Sequence, residues 1–329
     1  MADAVRIVMM GTGTFARPTF EALLADVSCR VVGLVTQPDR DAGQQRGSTR
    51  QIGPSLKEIA QSQGVPIFQP ESVNTPEGVA QLRAWQPELL VVAAFGQILK
   101  ADVLETARWG GINVHASLLP KYRGAAPVAH AILNGETTTG VTIIRMTTGL
   151  DAGDMLAQES IGILPTETAG ELEARLAPLG ANLALEVIHR ARNAGGISSV
   201  PGTKQDPALV TKAPKLKKEH GLIDWSQPAA RIVNHVRAMQ PWPTAYTYLH
   251  HAGKPPLRVI VTRAEVASFP DRATPGSLAN PQGRLLVHCG DGSVEVAELQ
   301  PAGKKRMTAA EFLRGHALAT DDRFGPDGG

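Results

Sequence analysis

Short, almost wholly apolar runs alternate with amphipathic stretches through the first half of the chain. Val5–Met10, Val31–Thr36, Leu89–Ala94 and Ile112–His115 are each short and apolar enough to be strands buried on both faces. Between them, Phe15–Ala25, Pro54–Gln63 and Pro76–Trp85 carry helical periodicity, and Thr75 followed by Pro76 supplies an N-cap and a first-turn proline for the third helix. This βαβ alternation predicts a parallel sheet flanked by helices. Gly140–Met146 and Asp154–Ile161 predict two further strands ahead of a long helix from Ala169 to Asn193.

The pattern then changes. AGGISSVPGTKQDPALVTKAPKLKKEHG, from Ala194, is rich in Gly, Pro, Ser and Lys without periodicity and reads as an interdomain linker. Beyond it, Ala245–His250, Leu257–Val266, Arg284–Cys289 and Val294–Leu299 are short strand candidates separated by turn sequences such as HAGKPP and GDGS. Such strands predict a small β-barrel, for which the oligonucleotide-binding type is one candidate. The architecture expected is therefore α/β, with a Rossmann-like parallel-sheet domain over 1–193, a linker over 194–211, a small C-terminal β-barrel over 212–318 and a flexible tail over 319–329, where DDRFGPDGG is acidic and Gly-rich.

A chain of 329 residues is long enough for the two cores this reading requires. Its longest purely apolar run, Leu89–Phe95, is far too short to span a bilayer. The N-terminus MADAVRIVMM places an acidic residue early and runs straight into a strand, unlike a signal peptide, so a cytoplasmic protein is expected. Only two cysteines occur, Cys29 and Cys289, each inside an apolar segment, which predicts reduced core thiols and no disulfide framework. The adjacent histidines His250 and His251 would point to opposite faces of a strand, poor geometry for a shared metal, and no metal is expected. Residues 1–200 carry 16 Lys and Arg against 19 Asp and Glu, whereas residues 201–329 carry 17 against 12. The second half is the basic half, although an excess of this size also fits a solvated surface.

Candidate chemistry concentrates in the first half. The turn GTGTFARP from Gly11 follows a strand and opens a helix, as a dinucleotide fingerprint does, but Ala16 stands at its third glycine and Thr36-Gln37-Pro38 offers no acidic ribose partner. A tight structural turn lining a cleft is the better reading. GINVHASLLPKYRGAAP, from Gly111 to Pro127, places Asn113 and His115 two apart on a strand, on one face near its carboxyl end. GLDAGDM, from Gly149, offers Asp151 from a loop with the backbone freedom to approach them. Amide, imidazole and carboxylate together suit acyl transfer to an amine, as oxyanion donor, proton shuttle and orienting anion. Taken singly, each is as readily a cap, a satisfied core histidine or turn chemistry.

INVHASLLPKYRGAAP closely resembles the signature of the 10-formyltetrahydrofolate-dependent formyltransferases. That resemblance implies that Asn113, His115 and Asp151 are the catalytic constellation. It also implies that Ser117, Leu118, Leu119 and Pro120 belong to the loop lining the folate pocket, and that AFGQILK places Gln97, Ile98 and Leu99 beside the pterin. The family uses no metal or nucleotide cofactor; 10-formyltetrahydrofolate is a co-substrate. TQPDRDAG from Thr36, KLKKEHGLIDW from Lys215 and QPWPTAY from Gln240 extend the resemblance over nearly the whole chain, towards the members that act on methionyl-tRNA. These carry a barrel of the oligonucleotide-binding type, in keeping with the basic second half. The implied reaction moves a formyl group from the folate to methionine esterified to initiator tRNA.

Two departures from the family pattern stand out. The first turn reads Gly11-Thr12-Gly13-Thr14-Phe15 where the tRNA-acting members commonly have Gly-Thr-Pro-Asp-Phe, and GQQRGSTRQIG replaces a denser basic run. Arg46 and Arg50 in that loop, Lys215, Lys217 and Lys218 in the linker, and Lys304 in the Lys304–Arg306 cluster are the expected tRNA contacts. Formyltransferases for a purine precursor or an amino sugar share the chemistry, but the former lacks a comparable C-terminal domain and the latter is typically fused to a dehydrogenase unit absent from this chain. A nicotinamide dehydrogenase or a non-catalytic RNA-binding module would leave the signature unexplained. With tRNA bridging both domains and no strongly apolar exposed stripe, a monomer is expected.

Overall fold

The computed structural model describes residues 4–39, 54–268 and 273–327. Its chain divides into two compact units, one of 1–128, 138–163 and 171–215, the other of 129–137, 164–170 and 216–329.

In the first unit, β1 (Val5–Gly11), α1 (Gly13–Ala25), β2 (Cys29–Val35), α2 (Leu56–Ser62), β3 (Ile67–Phe68), α3 (Pro76–Trp85), β4 (Leu89–Ala93), α4 (Ala101–Leu104) and β5 (Gly111–His115) follow the alternation read from the sequence, to which β3 and α4 are additions. A two-residue strand β6 (Arg123–Gly124) follows, and then the short helix α5 (Pro127–Leu133), most of which belongs to the second unit. Then come β7 (Thr138–Arg145), β8 (Met155–Gly162), the long helix α6 (Ala169–Ala194) and β9 (Lys212–Ala213), which pairs in parallel with β6. The sheet order is β3-β2-β1-β4-β5-β7-β8, with β1 to β5 mutually parallel and β7 and β8 antiparallel.

β1 lies between β2 and β4, with Ile7 opposite Val31 and Leu89, and Ile7, Val8, Met9 and Met10 are fully buried. A strand covered on both faces has no polar face to present, which is why it reads as a continuous apolar run. α3 starts where its cap chemistry puts it: Thr75 Oγ1 accepts from the Gly78 backbone N–H at 3.1 Å, and Pro76 occupies the first turn. One face of the sheet is closed by Val8, Met10, Val35, Leu82, Leu90, Phe95, Leu99 and Val103 among others.

The second unit holds α7 (Ala229–Ala238), β10 (Ala245–His250), β11 (Leu257–Ala267), β12 (Leu278–Ala279), β13 (Leu285–His288), β14 (Ser293–Pro301), β15 (Met307–Thr308), α8 (Ala309–Gly315) and β16 (Arg323–Gly325). The strands run in the order β12-β13-β14-β11-β10-β16, with β15 on β14. A bridge from Ser277 to Arg323 brings the two ends of this sheet together into a nearly closed antiparallel barrel.

That closure corrects the expected flexible tail over 319–329. Phe324 is 2% exposed and stacks on Trp225 with ring centroids 5.7 Å apart, while the buried Asp322 carboxylate pairs with His251 at 2.8 Å. One aromatic residue supplies the burial that the acidic, Gly-rich composition of the tail conceals. The segment 194–211, read as an interdomain linker, belongs to the first unit, which runs on to Lys215. Its tie is backbone pairing, with Met155 and Thr203 exchanging both N–H···O bonds at 2.9 Å, so apolar periodicity gives no sign of it.

Both thiols are free. Burial pushes Cys289 up to about 12 and the half-buried Cys29 up to about 11. No helix among the described residues is long and apolar enough to cross a membrane.

Candidate active site

The parallel part of the sheet fixes where a site can form. From β1 the chain goes to β2 and β3 on one side, then crosses to β4 and β5 on the other, so the carboxyl ends of β1 and β4 flank the point where strand order reverses. Gly11 ends β1 there, and a Cβ on it would lie 2.7 Å from the Ala93 carbonyl oxygen and 2.8 Å from the Ala16 Cβ. The glycine turn is thus close-packed against β4 and α1. Thr14, in the same turn, donates its hydroxyl to Glu173 at 3.1 Å, and desolvation holds the Glu173 carboxyl above its ordinary range.

Asn113 and His115 alternate on β5 and share a face, Asn113 partly exposed and His115 only 5% exposed. The loop carrying Asp151 leaves the sheet beside the opposite end of β5, where Met146 N–H donates to the Gly111 carbonyl, and turns back over that face. The return is tight: a Cβ on Gly153 would overlap the Arg145 carbonyl oxygen at 1.6 Å, and Asp151 adopts φ +48°. The carboxylate then reaches both partners. Asn113 Nδ2 donates to Asp151 Oδ1 at 3.2 Å, and His115 Nδ1 lies 3.6 Å from Asp151 Oδ2.

Two further groups complete the arrangement. His115 Nε2 lies 3.0 Å from the Tyr122 carbonyl oxygen. Because a carbonyl only accepts, Nε2 carries a proton, and in a neutral ring the lone pair is on Nδ1, facing Asp151. Gly124 N–H donates to Asp151 Oδ2 at 2.8 Å. Neither backbone partner is marked in the sequence, although both lie within the signature; their chemistry comes from the path of the chain, which residue identity does not encode.

The residues expected at the folate pocket divide. Ile98 is 61% exposed at the end of the segment leaving β4, and Leu118 and Pro120 are partly exposed. Leu99 is buried in the core, and Leu119 is buried as well. Ser117 is fully buried, donating to the Lys121 carbonyl at 2.7 Å while its own carbonyl accepts from Thr142 Oγ1 at 2.6 Å. Gln97 spends its amide on backbone, accepting from Val73 N–H at 2.9 Å and donating to the Glu71 carbonyl at 3.2 Å. Ser117, Leu119, Leu99 and Gln97 therefore shape the two loops from behind, whereas Ile98, Leu118 and Pro120 are the ones open to a ligand.

Lys215, Lys217, Lys218 and Lys304 are all exposed, and Lys217 faces Glu219 at 3.7 Å. Lys304 sits in the turn between β14 and β15, beside Arg306, which is paired with Glu298. Lys218 lines an open cavity of about 390 Å³ with Trp242, Pro243, Tyr246 and Arg258, whose guanidinium lies 4.2 Å over the Tyr246 ring. Sequence reasoning missed the aromatic members, since QPWPTAY carried only the resemblance. Arg46 and Arg50 lie outside the described residues. Among the described residues no group of three or more His, Cys, Asp and Glu side chains is placed to hold a metal ion.

The formyl transferase family matches residues 5–188, and the formyl transferase C-terminal domain matches residues 215–317. The chain is 43% identical to the methionyl-tRNA formyltransferase of Rhodopirellula baltica, with 98% of each chain covered. It is 46% identical to that of Trichlorobacter lovleyi, with 95% of each covered. In fold it is similar to an N-formyltransferase from Helicobacter canadensis solved with folinic acid and dTDP-3-aminofucose, at TM-score 0.64 and 18% identity over 89% of this chain and 98% of that one. A methionyl-tRNA formyltransferase from Clostridium thermocellum gives TM-score 0.53 and 17% identity over 80% and 94%.

Proposed function

The chain belongs to the formyltransferase family through both of its domains, and on that premise we propose how its residues carry the reaction. It transfers the formyl group of 10-formyltetrahydrofolate to the α-amino group of methionyl initiator tRNA, giving formylmethionyl-tRNA for translation initiation. A role in translation initiation makes the cytoplasm its place of work. The single observation that carries the mechanism is the convergence of Asn113, His115 and Asp151, within 3.6 Å, towards the carboxyl end of β5, the strand next to β4.

Attack of the amine nitrogen on the formyl carbon gives a tetrahedral centre with an oxyanion. Asn113 Nδ2 carries two hydrogens, of which Asp151 Oδ1 takes one, leaving the other for that oxygen. The ammonium must lose two protons in all, one released to solvent before attack and one as the new C–N bond becomes an amide. His115 Nδ1, the ring nitrogen with the lone pair, accepts a proton, and Asp151 stabilises the imidazolium that results. The proton then passes to the folate nitrogen as the old C–N bond breaks, which returns the imidazole to its starting state.

Folate is held in the first unit, with Ile98, Leu118 and Pro120 as apolar wall. Phosphates of the tRNA are held by Lys215, Lys217, Lys218 and Lys304, and the cavity of Lys218, Trp242, Tyr246 and Arg258 adds aromatic and cationic surface of the kind RNA engages. Purified protein incubated with 10-formyltetrahydrofolate and methionyl initiator tRNA yields formylmethionyl-tRNA. Formylation of an amino-sugar nucleotide or a purine-precursor amine in its place, with the tRNA untouched, overturns the reading.

A further inference from the structure

A catalytic carboxylate on a loop is only as well placed as the loop. Asp151 sits at φ +48°, a conformation that strains a non-glycine residue and persists only where the surroundings over-determine it. Within the loop, restraint is slight: Gly149 N–H meets Thr147 Oγ1 at 3.3 Å, and Ala152 N–H lies 3.5 Å from the Gly149 carbonyl. The anchor comes from elsewhere in the chain. Gln205, some fifty residues on, donates both hydrogens of its side-chain amide to this loop, to the Asp151 carbonyl at 2.7 Å and to the Gly153 carbonyl at 2.8 Å.

The other end of the same amide is fixed too. Gln205 Oε1 accepts from Arg123 Nε at 3.0 Å and from Arg123 Nη2 at 2.8 Å. Arg123 lies on β6, pairing with Lys212 on β9, and is followed by Gly124, whose N–H holds the Asp151 carboxylate. Gln205 is partly buried while its neighbours Lys204 and Asp206 are exposed. Four charge-assisted or short amide bonds thus lock one glutamine between Arg123 of the signature loop and the backbone carbonyls of Asp151 and Gly153.

From this we infer that Gln205, oriented by Arg123, is a positioning residue for the Asp151 carboxylate, and that the segment 203–213 serves the catalytic centre as a strap. The inference rests on the assignment of Asp151 as catalytic. It makes Gln205 act on turnover through Asp151 alone. Neither substrate need touch it, so binding of folate and tRNA is independent of the strap.

Steady-state kinetics of the full chain test this with Gln205→Ala and Gln205→Glu, each made in the wild-type and in the Asp151→Asn background. Gln205→Glu keeps shape and an acceptor for Arg123 but has no hydrogens for the two carbonyls, so it carries the test if the alanine variant fails to fold. In the wild-type background each substitution lowers kcat about tenfold or more and leaves KM for folate and for methionyl-tRNA within about twofold, since only orientation at the reacting centre is disturbed. In the Asp151→Asn background they slow the enzyme no further, because the group they position is already disabled. Wild-type turnover in Gln205→Glu, or effects that multiply in the double variants, overturns the inference while leaving the site intact. Asp151→Asn with near wild-type turnover overturns the site assignment itself.

Discussion

The backbone N–H of Gly124 donates to Oδ2 of Asp151 at 2.8 Å across 27 residues of chain. The contact exists because β6 is pressed against β9: Gly124 has φ +125°, and a Cβ on it would lie 2.5 Å from the Ala213 carbonyl oxygen. Glycine is required there twice over, by dihedral and by space.

Gly124→Ala forces β6 away from β9 and lengthens the bond to Asp151. Turnover falls at least about tenfold with KM for folate within about threefold, because orientation at the reacting centre suffers and the folate wall does not. Kinetics over both substrates check this; an alanine variant with wild-type kcat contradicts it.

Asn113→Ala removes the oxyanion donor, and Asp151→Asn leaves the His115 imidazolium without its counter-charge. Each lowers kcat by about a hundredfold or more, with tRNA affinity retained. Single-turnover formylation with saturating substrates measures the chemical step directly. Turnover within about threefold of wild type in both variants removes these residues from the mechanism.

Ile98 and Leu99 are neighbours with opposite surroundings, 61% and 1% exposed. Leu99→Ala opens a cavity in the core and costs about 2–5 kcal/mol of stability. Ile98→Ala leaves the melting temperature alone and raises KM for folate by about 3- to 10-fold, the effect expected of trimming one apolar side chain from the wall. Thermal melts and folate titrations of the two variants separate the roles; a folate KM unmoved in Ile98→Ala takes that side chain out of the pocket.

Replacing Lys215, Lys217 and Lys218 by Ala raises KM for tRNA and flattens the log–log dependence of affinity on salt by about one unit for each phosphate no longer neutralised. Folate binding is unchanged. Affinity measured across a salt series decides the matter, and an unaltered slope removes these lysines from the interface. Arg258→Ala, which strips the guanidinium from the Tyr246 ring, weakens tRNA binding with a smaller change in slope than the triple variant.

Burial dominates the surroundings of the Glu173 carboxyl and holds its pKa above the ordinary value of 4.5. The folded state therefore keeps the Glu173 proton at a pH where the unfolded chain has released it, so its contribution to stability falls as pH rises from 4.5 through the raised value. Glu173→Gln keeps an acceptor for the Thr14 hydroxyl and removes the charge. The variant melts higher than wild type by about 2–4 °C for each kcal/mol gained near neutral pH, and the difference vanishes below the unfolded pKa. Melting curves across pH check the sign; a variant less stable near neutrality refutes it.

The parallel half of the fold is legible in the sequence because its central strands, β1 and β4, are covered on both faces. β1, β4 and β5 stand out as apolar runs, and Thr75-Pro76 marks the start of α3 by local hydrogen bonding alone. Asn113 and His115 fall on one face by the two-residue period of a strand, and resemblance to a family motif points to Gln97–Leu99 and Ser117–Pro120 without separating exposed from buried members.

What the sequence leaves open depends on segments far apart in the chain meeting one another. β16 is three residues in an acidic tail and becomes a barrel stave only because Phe324 stacks on Trp225 and Arg323 bridges Ser277. Leu99 and Ser117 belong by sequence to the pocket motifs, yet packing turns their side chains into the protein. Segment 194–211 has linker composition, and only folding brings Gln205 against the Asp151 loop. Periodicity and capping report a residue's immediate neighbours; Asp151 at φ +48° is held by the Gly124 backbone N–H and the Gln205 side-chain amide, groups distant in the chain that meet it only once the chain has folded.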